Sequence, residues 1–321
     1  MVCAGCGKGT EKLNSHCPCF ERTETEVNEN FVGIDNISFE NYPRVDGSTS
    51  ANVLNNMVAC KLLNLPYVWF GGGGMEWGVG TYLENIPEGY KDFFRERVKT
   101  SQTHGAFMNL IDGDADIILT HRTISPDERA HANDVGVTLT EISIALDAFA
   151  FMVNKSNRVQ SLKVEQVQKI FTQKITNWKE VGGNHASIQV VTRPRNSGSE
   201  EVFRELVMGG IEPADFPYFM VNPMWEVLDV IINTANSLGY TFYNYKEVIA
   251  RRPCNEVPVI AINGICPGEE TVKNGTYPFI SEVHVAIRSD LDRTSMAYKL
   301  YEWLQSEHAK YTLTECGFIP K

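Results

Sequence analysis

The segment Thr192-Arg193-Pro194-Arg195-Asn196-Ser197-Gly198-Ser199-Glu200-Glu201-Val202-Phe203 concentrates residue types suited to one task, the holding of a small anion. The apolar run Ile188-Gln189-Val190-Val191 reads as a buried strand that delivers the chain to this loop. Beyond it, Val202, Phe203, Leu206 and Val207 recur at helical spacing, so Ser197 or Ser199 would cap a helix. Small residues at a helix start, such as Gly198, leave backbone N–H groups bare, and the helix dipole favours negative charge there. Arg193 adds a planar fork of donors aimed at the same spot. Taken alone, these residues would equally make an ordinary capped helix beside surface arginines.

Two further loops carry the same chemistry. A short strand over 39–45 runs into Asp46-Gly47-Ser48-Thr49-Ser50, and Val53, Leu54, Met57, Val58 and Leu62 then mark an amphipathic helix. Ser48, Thr49 and Ser50 therefore stand at a second bare helix start. Ser101 and Thr103 lie in a third small-polar turn before the helical run Ala106–Ile111. A strand over Ala115–Thr120 ends at His121-Arg122, and Ser125 caps the next helix with Pro126 first inside it. Hydrolysis is the rival chemistry, since serines, His104 and His121 are available to a phosphohydrolase. There is no Gly-x-Ser-x-Gly elbow, no His-x-x-x-His and no Asp cluster suited to metals, so no catalytic residue, cofactor or metal is expected.

The elements that must position these loops alternate between strand and helix. That pattern implies an α/β fold with a mostly parallel sheet, its ligands gathered at the carboxyl ends of the strands. At 321 residues the chain exceeds the usual size of one core, so two lobes are expected. The expected division is a tether over 1–33, a first lobe over 34–150 plus 245–321, and a second lobe over 151–244. Ile142–Val153, an apolar run broken by Asp147, would cross between them. Val164–Phe171 and Leu228–Ala235 read as helices, Leu238–Tyr243 as a strand, and two helices near 294–305 and 307–314 close the chain. The run Gly71–Gly74 lacks the Gly-Lys-Ser/Thr ending of a nucleotide loop, so 66–90 reads as a flexible surface insertion.

Composition is that of a soluble globular protein, with 43% hydrophobic and 21% charged residues. A net charge of −11 argues against nucleic acid or an anionic membrane as partner. No apolar run approaches the length of a membrane span. Four of the eight cysteines lie at Cys3, Cys6, Cys17 and Cys19. They admit a zinc site, a disulfide framework, or the reading that Val2-Cys3-Ala4-Gly5-Cys6 resembles a bacterial lipobox, with Cys6 the lipidated residue. Cys254 and Cys266 bracket a strand over Val257–Ile262, which would hold the two sulfurs too far apart for a disulfide, so no bond is expected.

The motifs in order, Val45-Asp46-Gly47-Ser48-Thr49-Ser50, Thr103-His104-Gly105-Ala106-Phe107 with Asp116-Ile117-Ile118, Ile170-Phe171-Thr172-x-Lys174-Ile175-Thr176-Asn177-Trp178, Arg193-x3-Ser197-Gly198-Ser199 and Gly239-Tyr240, resemble the periplasmic phosphate-binding proteins of phosphate ABC importers, most of all their PstS-like branch. The resemblance covers roughly residues 38–320. It implies two Rossmann-like lobes of the type II periplasmic-binding-protein fold joined by a two-stranded hinge, with a dehydrated oxyanion in the cleft. It also implies a monomer that hands phosphate to an ABC permease, periplasmic or at the cell surface, anchored by lipid through an N-terminal Cys. An oxyanion sensor or adhesion module is the alternative. Thr49 and Ser50, beside Ser48, match the first ligand loop. Thr103, or else Ser101, matches the second, and Arg193, Ser197, Gly198 and Ser199 match the third. Where many members place an Asp that accepts the proton of phosphate, this chain has His121 with Arg122 beside it. Weaker exclusion of sulfate is therefore expected than in the Asp-containing members.

Overall fold

The computed structural model describes residues 24–72, 75–216, 219–250 and 256–321. The strand β1 (Val45–Gly47) leads through a short 3-10 turn into helix α1 (Asn52–Leu62). A hairpin of β2 (Val68–Gly72) and β3 (Met75–Gly80) follows, then α2 (Phe93–Arg97), α3 (Gln102–Asp112), β4 (Ile117–Thr120) and α4 (Pro126–Asp134). The middle of the chain holds β5 (Leu139–Val153), β6 (Ser161–Leu162), α5 (Val164–Phe171), β7 (Gln189–Val190), α6 (Gly198–Val202) and α7 (Met224–Asn233). The rest comprises β8 (Ser237–Phe242), β9 (Val259–Ile262), α8 (Glu269–Lys273), β10 (Ile280–Arg288), α9 (Met296–Trp303), α10 (Glu307–Glu315) and β11 (Ile319–Pro320).

The main sheet runs β1-β4-β10-β5-β8-β7. Its organiser is β5, whose residues Leu139–Ala148 pair with β10 and whose residues Phe149–Val153 pair with β8. The sheet is mixed rather than mostly parallel. β1–β4, β7–β8 and β6–β9 run parallel, but β10 runs against both β4 and β5, and β5 runs against β8, β9 and β11. Strand β9 pairs with the far part of β5, so the chain stays with that half of the sheet well past residue 245. Phe149, Phe151, Phe171, Phe203, Tyr240 and Phe242 fill the core beneath it, with the Phe203 and Tyr240 rings stacked at 4.7 Å. These rings fix β8 and the end of α6 relative to β5.

Three expectations need correction. The hydrogen bonds from Thr25 N–H to Tyr67 O and from Trp303 Nε1–H to Val32 O dock residues 25–32 onto the folded body, so this end of the expected tether is fixed. The first part of the tether and Cys6 lie outside the described residues. Residues 66–90 are built around the β2–β3 hairpin, because Val68 and Val79 bury their side chains under it. Cys266 is disulfide-bonded, against the expectation of no bond, while Cys254 lies outside the described residues. The strand is only Val259–Ile262, and Asn263 and Gly264, both at positive φ, turn the chain so that Ile265 pairs back onto Ile262. Cys266 is thereby carried back rather than onward.

Among the described residues no helix is long and apolar enough to cross a membrane.

Candidate functional site

Asp46, at the centre of β1, is buried and ties two of the loops together. Its Oδ1 accepts from Gly47 N–H at 2.7 Å and from Ser101 N–H at 2.8 Å, while Oδ2 accepts from Asn109 Nδ2 at 2.6 Å. Asn109 also donates to Ser101 Oγ at 3.2 Å, so Ser101 positions the loop while Thr103 stands buried in the first turn of α3. In the first loop, Ser48 and Ser50 are buried with their hydroxyls 3.1 Å apart, and Thr49 is half-buried. Ser50 Oγ lies 2.7 Å from His121 Nδ1, and the His121 ring packs at 4.2 Å on Phe242.

The third loop holds the strongest electrostatic feature. Backbone N–H of Arg193 donates to the Tyr240 hydroxyl at 3.1 Å, which pins the residue to β8. Its side chain is 5% exposed, yet Nε and Nη1 have no hydrogen-bond partner among the described residues. Burial pushes the guanidinium below its ordinary pKa. The buried carboxylate of Glu200 is already held by the Tyr240 hydroxyl and by Arg204 Nε at 2.6 Å, with burial pushing its pKa up. A buried cation left without hydrogen bonds costs several kcal/mol, which a bound anion would offset. Ser197 caps α6 by accepting from Glu200 N–H at 3.4 Å, and the Ser199 hydroxyl, 1% exposed, also lacks a partner among the described residues.

Two contacts bring the third loop against the first half of the sheet. A Cβ built on Gly198 would overlap Thr103 Oγ1, so α6 and α3 meet start to start. Asn196 Nδ2 donates to Asp127 Oδ2 at 3.0 Å beside them. Arg193, Ser197, Gly198 and Ser199 thus share one loop, Gly198 touches Thr103, Asp46 joins Ser101 to β1, and Ser50 meets His121.

Arg122 does not fit the ligand role expected of it. Both ends of its fork bond Glu128, at 2.7 Å each, and Nη1 also donates to Thr123 O at 2.9 Å. Glu128 additionally accepts from Ser125 N–H at 2.8 Å, closing the capping box of α4. His104, Asp127 and Glu128 do converge, with ligand atoms within 4.8 Å of one another. The Arg122 fork occupies both oxygens of Glu128, so this cluster is an ion-pair network. Residues that sequence reasoning left without a role are Asp46, Asp147 and Tyr240. Asp147 was noted only as the charge that breaks the apolar run Ile142–Val153, and that position was the signal that could have given it a role.

The PBP superfamily domain matches this chain over residues 78–308. Phosphate-binding protein PstS of Bacillus subtilis (strain 168) is 30% identical over 183 residues, 57% of this chain and 58% of that relative, hence less than two thirds of its length. The crystal structure of a phosphate ABC transporter substrate-binding protein with bound phosphate from Clostridium perfringens is 21% identical at a TM-score of 0.62, covering 89% of this chain and 99% of its own. An ABC-type phosphate transport receptor from Vibrio cholerae is 24% identical at a TM-score of 0.58, covering 89% and 100%. At these identities the two structures speak to the fold.

Proposed function

This chain belongs to the PBP superfamily, and from that premise we propose that it is an extracytoplasmic solute-binding protein that captures inorganic phosphate for an ABC importer. The observation that carries the reading is the Arg193 guanidinium, buried and with Nε and Nη1 unpartnered, in the loop that starts α6. Three loops of small polar residues supply the neutral donors, and no metal or nucleophile is needed. The name of the Bacillus subtilis relative and the bound phosphate of the Clostridium perfringens protein support phosphate as the anion. The protein binds its ligand and does not transform it.

In this reading the ligand set is Thr49, Ser50, Thr103, Arg193, Ser197, Gly198 and Ser199. Ser48, Ser101 and His121 support it from behind, and Arg122 belongs to the Glu128 ion pair. One lobe comprises β1, β4, β10 and the first part of β5. The other comprises β7, β8, β9 and the last part of β5, and β5 itself runs through the hinge. The protein acts as a monomer outside the cytoplasm, anchored by lipid at Cys6, and delivers to a permease.

Isothermal calorimetry with inorganic phosphate tests the core of this. Arg193→Ala should weaken binding by about a hundredfold or more, since it removes a charge-assisted partner from a desolvated site. Unchanged affinity would sink the assignment.

A further inference from the structure

A buried polar line runs behind the first loop. Ser48 Oγ lies 3.1 Å from Ser50 Oγ, Ser50 Oγ 2.7 Å from His121 Nδ1, and His121 Nε2 3.5 Å from Asp147 Oδ2. All four residues are at most 5% exposed. Nε2 and Oδ2 face each other, and neither has a hydrogen-bond partner among the described residues. The other oxygen of Asp147 is committed, accepting from Ala148 N–H at 2.7 Å and Asn244 N–H at 3.1 Å.

A neutral imidazole has one donor and one acceptor nitrogen. Facing a carboxylate oxygen, Nε2 takes the proton, which leaves Nδ1 as the acceptor. Among the described residues, only the Ser50 hydroxyl proton reaches Nδ1. Having given that proton to His121, Ser50 meets every other group as an acceptor: Ser48 O–H fills one lone pair, and the second is open to a ligand.

We propose that Asp147 and His121 are positioning residues that turn Ser50 into a hydrogen-bond acceptor inside the anion site, so that the site selects oxyanions carrying a proton, such as monohydrogen phosphate, over those without one, such as sulfate. The inference rests on the anion-clamp reading above and reverses the weaker sulfate exclusion expected from the absence of a carboxylate at position 121. A proton-free oxyanion would set its own lone pairs against that of Ser50 in a dry pocket, which is unfavourable.

Groups from several elements enclose His121. Asp147 faces it from β5, His284 from β10, Ser50 from the first loop, and the rings of Phe242 and Phe318 cover it.

Calorimetry with inorganic phosphate and with sulfate, on wild type, Asp147→Asn and Ser50→Ala, decides it. In Asp147→Asn the amide oxygen keeps the two backbone N–H bonds and the NH2 group takes the place of Oδ2. It donates to Nε2, the imidazole proton moves to Nδ1, and preference for phosphate over sulfate should drop by about tenfold or more. Ser50→Ala should lower phosphate affinity by about tenfold and sulfate affinity by less. Wild-type preference retained in Asp147→Asn overturns the relay, as does wild-type protein that binds sulfate as tightly as phosphate, although the clamp then stands. Wild-type protein that binds neither anion overturns both readings. Should Asp147→Asn fail to fold, equal losses for the two anions in Ser50→Ala overturn the relay.

Discussion

Gly198 at the start of α6 sits so close beneath the Thr103 hydroxyl of α3 that a methyl group there would overlap it. The two residues come from opposite halves of the sheet, so their approach measures how far the halves close on one another. Gly198→Ala should hold them apart and weaken phosphate binding by about tenfold or more, because closure desolvates the anion's hydrogen bonds. Thr103→Ala in the Gly198→Ala background removes the overlapping oxygen. Recovery of part of the affinity in that double variant, read by calorimetry, would tie the loss to the clash rather than to general damage.

Arg193 should be costly to the empty protein. Its buried Nε and Nη1 have no partner among the described residues, and the nearby carboxylate of Glu200 is held by Tyr240 and Arg204. A desolvated charge without hydrogen bonds destabilises the fold that contains it. Arg193→Met, which keeps length and loses the charge, should therefore leave the thermal midpoint of ligand-free protein unchanged or raised. The same variant should lose the upward shift that phosphate is expected to give wild type. A lowered midpoint without ligand would mean that Arg193 has a structural partner in solution.

Loop chemistry was legible in the sequence because it is local. Small polar residues before an apolar helical stripe define a helix start wherever they occur, and Ser48–Ser50, Thr103 and Ser197–Ser199 stand at such starts. Partners far along the chain were not legible. Arg122 and Arg193 look alike as residues, and only the fold shows both Nη atoms of Arg122 bonded to Glu128 while Nε and Nη1 of Arg193 lack a partner among the described residues. Strand β10 goes unassigned in the sequence reading although Ser281, Val283 and Val285 are buried in alternation, and that omission is why the sheet was expected to be mostly parallel. The Asn263-Gly264 turn was equally visible and equally decisive for Cys266.

Arg122 and Glu128 should govern stability rather than affinity. Both are buried, they form a two-bond fork, and Glu128 also closes the cap of α4. Removing Arg122 leaves the buried Glu128 carboxylate without its cation, held among the described residues only by Ser125 N–H and His104, at a cost of up to about 3–5 kcal/mol. Arg122→Ala should lower the denaturation midpoint accordingly in urea titration, while phosphate affinity in the folded fraction stays within about threefold of wild type. A hundredfold loss of affinity with intact stability would return Arg122 to the ligand set.

His284 gives the fold a pH dependence whose sign follows from its burial. It lies on β10 opposite Thr120, and burial first, then repulsion from His121, pushes its imidazolium below the ordinary histidine pKa, with Glu282 acting the other way. In the window between the depressed folded value and the unfolded value, the unfolded chain binds more protons than the folded one. Stability therefore rises with pH through that window and is lost as pH falls through it. His284→Gln, which cannot take up the proton, should flatten that part of the profile. Urea denaturation of wild type and variant at closely spaced pH values from mildly acidic to neutral measures the difference directly. Parallel profiles would mean that the slope comes from other groups, whereas a flatter variant profile would assign it to the imidazole behind the site.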